Sequence, residues 1–512
     1  MTSAHGQPAP ETSTRDRYLV LTAAFLGWMF DGFEMGLFPL IGGPALADLL
    51  GSAAAAGDAA KWFGAIIAVF LLGAATGGVL FGWLGDKIGR VKAMSLSIFT
   101  YAIFTGLCGF ATEAWHIAVL RFIASLGMGG EWSLGVALVN EIWPGKARAL
   151  VAGLIGAAAN VGFLLVGVLS MALVGFIAAA ESLMLGIGLS EQLTGKLLAN
   201  SGWRFLMISG AFPAILIFFI RLFVPESKKW EAERERGATS HWANADLGGV
   251  LAGSLAALVI IWAWSPAGAG PALAGLITVV GLVIALAGFL HPVRKYLARA
   301  VAANSLKSDD GRRVVRMMLF GAGLAGVALL GTWGSTQWAP RWVAAELLKD
   351  PELLKLHPFG KEWTQIWSAL GAIVGTMAAA LCAGRFGRRI TYAVLCLGSL
   401  ASALFLYQGN DAYGTKFLIS VFVLGAMTAS FYGFFPLYLP ELFPTAVRAT
   451  GQGFAFNFGR ILAAIGGLQT ATLMGALGGS FAKAGSVVVI VYVIGVFLVW
   501  LGPETKGKPL PE

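Results

Sequence analysis

The sequence predicts an all-α polytopic membrane protein. Hydrophobic residues make up 57% of the 512 residues and charged residues only 12%, about half the charged share of an ordinary soluble domain. Apolar stretches of about 20 residues recur along the chain, and each is long enough to cross the roughly 30 Å hydrocarbon core as a helix. A transmembrane barrel would instead show short segments of alternating polarity.

The apolar stretches divide into fourteen predicted spans, arranged as two groups of six with a hairpin between them. The first group covers 18–46, 60–81, 93–111, 115–143, 149–178 and 203–224. The hairpin covers 247–265 and 271–291, and the second group covers 314–339, 363–383, 390–407, 415–439, 449–475 and 481–501. The predicted domains are a tail (1–17), an N-terminal half (18–230), a linker that contains the hairpin (231–300), a C-terminal half (301–502) and a second tail (503–512).

The basic residues indicate how these spans are oriented. Of the 36 Lys and Arg residues, 24 fall in the tails and in loops on one side, nine fall in loops on the other side, and three fall within spans. Basic residues concentrate in the cytoplasmic loops of membrane proteins. We therefore predict that both termini are cytoplasmic, in a plasma (bacterial inner) membrane. The formal charge of +9 reflects this topology and not nucleic-acid binding.

The reactive residues give no indication of a cofactor, a metal or an enzyme. Cys108, Cys382 and Cys396 all fall in apolar spans, without the CxxC spacing typical of metal sites. The sequence offers no phosphate-binding loop and no arrangement of nucleophile and base. The expected partners are the lipid bilayer, a small-molecule substrate and protons.

Several motifs occur twice, about 300 residues apart. The matched pairs are "GDKIGR" (85–90) and "AGRFGR" (383–388), Glu141–Arg148 and Glu441–Arg448, and "VPES" (224–227) and "GPET" (502–505). Parallel repeats of this kind build a substrate site at the interface between the two halves. The hairpin is then an insertion between the halves, and its expected role is structural packing or lipid contact.

These motifs resemble those of the major facilitator superfamily of transporters. "GWLGDKIGR" (82–90) looks like its loop signature. The segments that resemble its sugar-porter and organic-anion symporter branches are "RFIASLGMGGEW" (121–132), "VPESKKW" (224–230), "PELFPTAVRATGQG" (440–453) and "PETKG" (503–507). With "DGFE" (31–34) and fourteen spans, the chain looks most like the sialate:proton symporter group, which also includes monocarboxylate carriers. The resemblance implies two six-helix halves and transport by alternating access.

The resemblance also implies a cytoplasmic gate. In this superfamily the acid of the loop signature, here Asp86, closes the inner side by binding basic residues and helix N-termini; Gly384 stands at the equivalent place in the second half. Depth counting puts Glu131 toward the cytoplasm, so we assign it to the same gate. The predicted gating residues are Asp86, Arg90, Glu131, Glu141, Arg148, Glu441 and Arg448.

Two carboxylates stand inside the first span, where an unpartnered charge costs about 3 kcal/mol. At a rise of about 1.5 Å per residue, Asp31 and Arg121 both lie roughly 9 Å below the outer boundary. We therefore expect these two residues to pair, either as a static link between helices or as a switchable proton site. Since the histidines all fall in loops or at span ends, the predicted proton-coupling residues are Asp31, Glu34 (one turn further out) and Arg121.

Arg460 lies about 18 Å into its span, near the midplane, with no acid of its own half at that depth. A guanidinium group binds a carboxylate through two parallel hydrogen bonds, so this position predicts an anion site. A pairing with Asp31 or Glu131 is the alternative. The predicted substrate-binding residues are Arg460, Asn457, Asn160, Gln337, Trp338 and Tyr432.

The predicted function is proton-coupled import of a small organic anion, such as sialic acid or a monocarboxylate, by a protein that works as a monomer. A proton-coupled sugar transporter is the alternative, because the sugar-porter motifs fit it. A sugar-binding site needs several amide side chains, however, and the 314–339 span contains only Gln337. A drug exporter is disfavoured because the 149–178 span lacks a Gly-Pro step.

Overall fold

The computed structural model describes residues 13–51, 56–143, 145, 147–265, 268–334 and 336–511. Within these ranges the chain is helical and contains no strand. Twelve of the described helices are long and apolar enough to cross a membrane. The all-α membrane fold is therefore confirmed, whereas the count of fourteen spans stays a prediction. The first predicted tail lies largely outside the described residues, which begin at Ser13.

The N-terminal half consists of seven helical segments. They are α1 (Thr14–Leu50), α2 (Ala56–Ile88), α3 (Arg90–Cys108), α4 (Ala114–Ile142), α5 (Arg148–Gly186), α6 (Glu191–Ser209) and α7 (Ile215–Phe223). A short 3-10 turn that contains Pro213 separates α6 from α7. Proline has no N–H to continue a helix, so the predicted 203–224 span is broken there.

A short helix and the hairpin connect the halves. They are α8 (Lys228–Glu235), α9 (Leu247–Ala263) and α10 (Pro271–Ala302). The C-terminal half contains α11 (Ser308–Trp333), α12 (Ala339–Trp342), α13 (Pro351–Leu356), α14 (Gly360–Phe386), α15 (Arg388–Gly409), α16 (Thr415–Thr428), α17 (Phe431–Tyr438), α18 (Arg448–Asn457), α19 (Gly459–Ala476), α20 (Phe481–Val488) and α21 (Val491–Leu498). The predicted 449–475 span is thus divided at Phe458 into α18 and α19.

The two halves meet along two seams. In one, α2 packs on α18 and α19; in the other, α5 packs on α14 and α17. Small residues allow this close approach, because a Cβ atom at Gly78 would collide with Asn457, and one at Gly156 would collide with the backbone of Tyr432. Both seams are closed on the predicted cytoplasmic side.

The internal repeat is visible in the backbone. Gly89 and Gly387 precede α3 and α15 with φ values of 112° and 96°, a region that side-chain-bearing residues rarely adopt. Glu226 accepts the backbone N–H of Arg90 at 3.0 Å, and Glu504 accepts that of Arg388 at 2.9 Å. Burial raises the pKa of the Glu226 carboxyl. Equivalent acids therefore cap equivalent helices in the two halves.

Candidate functional site

Arg121 does not form the predicted ion pair with Asp31. Its Nη1 instead donates to Glu34 Oε1 at 2.7 Å, and the Thr105 hydroxyl donates to the same oxygen at 3.2 Å. The guanidinium group lies 4.6 Å from the ring centroids of both Phe38 and Phe70. These two rings hold Arg121 at the level of Glu34, one turn beyond Asp31.

Asp31 faces a different group. Its side chain is fully buried and makes a side-chain hydrogen bond with the Glu131 carboxyl group. Glu131 of α4 lies beside it: Asp31 interacts electrostatically with Glu131, Glu34 and Arg460, and Glu131 Oε1 contacts Gly27, one turn before Asp31 on α1. The structure therefore brings two carboxyl groups together in the interior of the N-terminal half.

In this structure Glu131 does not lie among the cytoplasmic gate residues, where depth counting predicted it. Its carboxyl group contacts α1 and makes no ion pair with the described residues of the gate. The reason is that α4 has 29 residues, a length of about 44 Å, which exceeds the hydrocarbon thickness. Counting depth from its outer end placed Glu131 too close to the cytoplasm.

Arg460 lies in the first turn of α19, directly after the break at Phe458. It is 2% exposed, and its Nε and Nη1 atoms are buried without a hydrogen-bond partner among the described residues. Its guanidinium carbon lies 5.7 Å from the centroid of the Phe456 ring. Buried polar groups normally have hydrogen-bond partners, so the Nε and Nη1 groups of Arg460 are available to bind a ligand.

A cavity between the two halves contains Arg460 in its wall. It includes four of the six predicted binding residues, namely Arg460, Asn160, Gln337 and Tyr432, together with Trp28, Phe163, Thr332, Trp333 and Gln365. The rings of Trp28, Phe163, Trp333 and Tyr432 make the wall largely apolar, whereas the guanidinium and amide groups supply hydrogen-bond donors. This combination can hold a small anion with an apolar body.

Asn457 and Trp338 do not line this cavity, contrary to prediction. Asn457 Nδ2 donates to the carbonyl oxygens of Gly129 and Gly453 at 3.1 and 3.0 Å, which turns it toward the α2 and α4 side. Trp338 is 5% exposed and packs edge-on against Phe481.

The cavity continues toward the predicted outer side. An adjoining space shares Phe163, Gln337 and Gln365 with it and reaches Lys361 and Glu362 at the start of α14. There the Ser170 hydroxyl of α5 donates to Glu362 Oε1 at 3.0 Å. This hydrogen bond links the two halves across the mouth of the cavity, a contact that the sequence analysis did not identify.

Several of the predicted cytoplasmic gate residues form ion pairs between the halves. Glu141 accepts from Arg90 at 3.1 Å within its own half and from Arg448 of the other half at 2.8 Å. Glu441 accepts from Arg388 at 2.6 Å, and Arg148 of the other half lies 3.8 Å from it. The repeat thus places the same arrangement twice at the inner end of the interface.

Asp86 adds a contact that Gly384, at the equivalent place in the second half, has no side chain to make. It pairs with Arg90 at 2.7 Å and accepts the backbone N–H groups of Ala449 and Thr450 at 3.2 and 2.8 Å. These N–H groups belong to the first turn of α18 in the other half, where a carboxylate is favoured by the helix dipole. The carboxylate therefore fastens α2 to α18 on the inner side.

Comparison with known families gives a match over most of the chain. The family model described as "Sugar (and other) transporter" matches residues 19–252 and 353–512. The unmatched interval contains most of the hairpin and α11.

Three curated relatives are transporters with different names. A putative metabolite transport protein of Haemophilus influenzae is 26% identical over 96% of this chain and 97% of its own length. The cis,cis-muconate transport protein of Acinetobacter baylyi is 26% identical over 77% of this chain and 74% of its own. The sialic acid transporter NanX of Escherichia coli is 29% identical over 41% of this chain and 44% of its own.

A solved structure agrees with the fold. The structure of the proton:xylose symporter XylE, of the major facilitator superfamily, is similar to this one with a TM-score of 0.64 and 19% sequence identity. The match covers 96% of this chain and 97% of the XylE chain. The predicted major facilitator fold is thereby confirmed.

Proposed function

Because the chain belongs to the sugar (and other) transporter family, we propose that it imports a small organic anion together with protons. The chain is an integral membrane transporter and not an enzyme. The observation that carries the proposal is Arg460, a buried cation with unpartnered N–H groups in the wall of the central cavity. An anion restores its missing hydrogen bonds, and a monocarboxylate or sialic acid supplies the matching carboxylate.

The relatives support an acid as the substrate. One is named for cis,cis-muconate and another for sialic acid, and both compounds carry carboxylates. The aromatic wall of the cavity fits an anion whose charge is confined to one end, since the remainder of the molecule then contacts rings. The substrate would enter past Ser170 and Glu362 and place its carboxylate at Arg460.

Proton coupling is assigned to the buried acids of the N-terminal half. Asp31 carries the proton in this proposal, and Glu34 and Arg121 form the neighbouring ion pair. Glu131 joins them, because two adjacent carboxylates repel each other when both are ionised and a bound proton relieves that repulsion. Asp31 also interacts electrostatically with Arg460. The charge on Asp31 and the charge of a bound anion therefore both interact with Arg460, which would link the protonation of Asp31 to anion binding.

Alternating access requires two gates that are not open together. In this structure the inner ion pairs are formed and the cavity reaches the outer side, which corresponds to an outward-facing state. Inward opening would break the contacts of Asp86, Arg90, Glu141, Arg148, Glu441 and Arg448. We further propose that the protein works as a monomer in the plasma (bacterial inner) membrane. The distribution of basic residues supports an orientation with both termini in the cytoplasm.

A proton-coupled sugar transporter is the second candidate. Three amide side chains, Asn160, Gln337 and Gln365, line the cavity, and amides are suitable partners for sugar hydroxyl groups. Uptake of labelled acids and sugars into proteoliposomes, with and without an inside-alkaline pH gradient, separates the candidates. Gradient-driven accumulation of an acid supports the first proposal, whereas accumulation of neutral sugars alone replaces it with the second.

A further inference from the structure

The inserted hairpin lies along the seam between the two halves. Its first arm, α9, contacts α2 of the N-terminal half and α19 of the C-terminal half. Its second arm, α10, contacts α2, α11 and α18. An element that only filled space against the lipid would need to contact one half, whereas this hairpin is attached to both.

The link to the N-terminal half is a buried hydrogen bond. The hydroxyl oxygens of Thr76 on α2 and Ser254 on α9 are 2.8 Å apart, and both side chains are buried. Ser254 donates its own hydrogen to the carbonyl oxygen of Val250 at 2.8 Å, so Thr76 is the donor between them. At the inner end of α2, Lys87 also binds the Asn244 side chain, just before α9.

The link to the C-terminal half uses the broken helix that carries Arg460. Phe289 of α10 is fully buried and packs edge-on against Phe458 with ring centroids 6.2 Å apart. Phe458 is the residue at the break, two positions before Arg460. Further out, Gln469 Nε2 of α19 donates to the carbonyl oxygen of Trp264 at 3.3 Å.

We propose that the hairpin is a brace across the seam of α2 with α18 and α19, and that it stabilises the state in which the cytoplasmic side is closed. The inference rests on the alternating-access part of the proposed function. When the halves rotate, the hairpin cannot keep its contacts with both of them unless it deforms. At least one of the two links must therefore break before the inner side opens, and a weaker link shifts the equilibrium toward the inward-facing state.

The test uses variants that remove one link without leaving a large cavity. Thr76→Val deletes a hydroxyl at nearly constant shape, and Gln469→Leu deletes the amide. Leu255→Ala is the matched control, since Leu255 lies on the same arm as Ser254 but is 53% exposed toward the lipid. The readout is maleimide labelling of Ala380→Cys, in a background free of native cysteines. Ala380 is fully buried on α14, near Gly153 of α5.

We expect labelling from the cytoplasmic side to rise about three- to five-fold in at least one link variant, the range that one interhelical hydrogen bond in a membrane supports. Leu255→Ala should leave it unchanged. If the Thr76 link is responsible, adding Ser254→Ala to Thr76→Val should produce no further rise, because the bond is already lost.

Unchanged labelling in both link variants, or a rise in labelling equal to that of Leu255→Ala, would overturn the brace. Monodisperse elution of each purified variant shows that an altered labelling rate does not come from unfolding. The readout needs no substrate, so failure of the anion proposal would leave this result intact. Conversely, normal acid uptake together with unchanged labelling of the link variants would reject the brace and leave the proposed function intact.

Discussion

Replacing Arg460 by alanine should weaken the binding of an acid substrate far more than that of its methyl ester. Arg460 is buried and its Nε and Nη1 atoms lack partners, so an anion at this guanidinium group gains charge-assisted hydrogen bonds in a largely desolvated cavity. Hydrogen bonds to charged groups contribute about 1.5–3 kcal/mol. Their loss corresponds to about ten- to a hundred-fold in affinity.

A lysine at the same position should recover only part of this loss. Arg460→Lys keeps the positive charge but loses the planar fork that matches both carboxylate oxygens. Its affinity for the acid should therefore lie between those of wild type and Arg460→Ala. The ester lacks the anionic oxygen, so all three proteins should bind it with similar, weak affinity.

The assay is equilibrium binding of the free acid and its methyl ester to purified wild type, Arg460→Ala and Arg460→Lys. Arg313→Ala is the control, because it removes one positive charge from an exposed site at the start of α11. Equal binding of acid and ester by wild type would refute the reasoning. Loss of acid binding in Arg313→Ala would show that net charge, and not the cavity geometry, is responsible.

Three further variants test the coupling and gating residues. Asp31→Asn should abolish uptake driven by a pH gradient in proteoliposomes while retaining substrate exchange, since the site can no longer release a proton; full accumulation would move the coupling role to Glu34 or Glu131. Asp86→Asn removes the carboxylate that binds the first turn of α18, and cysteines at the inner ends of α4, α5, α17 and α18 should become more accessible from the cytoplasm. Accessibility equal to wild type would show that Asp86 does not hold the cytoplasmic gate closed and only marks the topology of its loop. Ser170→Ala deletes the hydrogen bond to Glu362 across the outer mouth, so Ala372→Cys in the cavity should label about two- to five-fold faster from outside; slower labelling would contradict the assignment of this bond as an outer closure.

The sequence was sufficient for the features that repeat or that depend on hydropathy. The apolar stretches fixed the all-α membrane fold, and the duplicated motifs identified Asp86, Glu141 and Arg448, whose cross-half contacts the structure shows. These residues could be predicted because their roles depend on loop motifs that are recognisable from the sequence alone.

Pairings inside the membrane were harder to predict. Asp31 and Glu34 are three residues apart, which is about 4.5 Å along the helix and less than the reach of an arginine side chain. Depth alone therefore could not decide which acid Arg121 binds, and the stacking on Phe38 and Phe70 decides it. Gly27 was a usable signal, since a missing side chain one turn before Asp31 leaves the space that Glu131 occupies.

The partners of polar side chains on one helix were the second source of error. Asn457 and Arg460 are three residues apart, so the helix presents them close to one face. Only Arg460 lines the cavity, because the Asn457 amide donates to the carbonyl oxygens of Gly129 and Gly453. Spacing along one helix does not show which group a neighbouring helix offers, so the sequence did not separate the two roles.

The most direct test of the account is whether acid and proton cross the membrane together. Proteoliposomes that contain a luminal pH dye would receive external acid at equal pH on both sides, with protein-free liposomes to correct for passive entry. The account predicts that the lumen acidifies in step with entry of labelled acid, and that Asp31→Asn loses this acidification. Entry of labelled acid through the wild-type protein without any luminal acidification would contradict it.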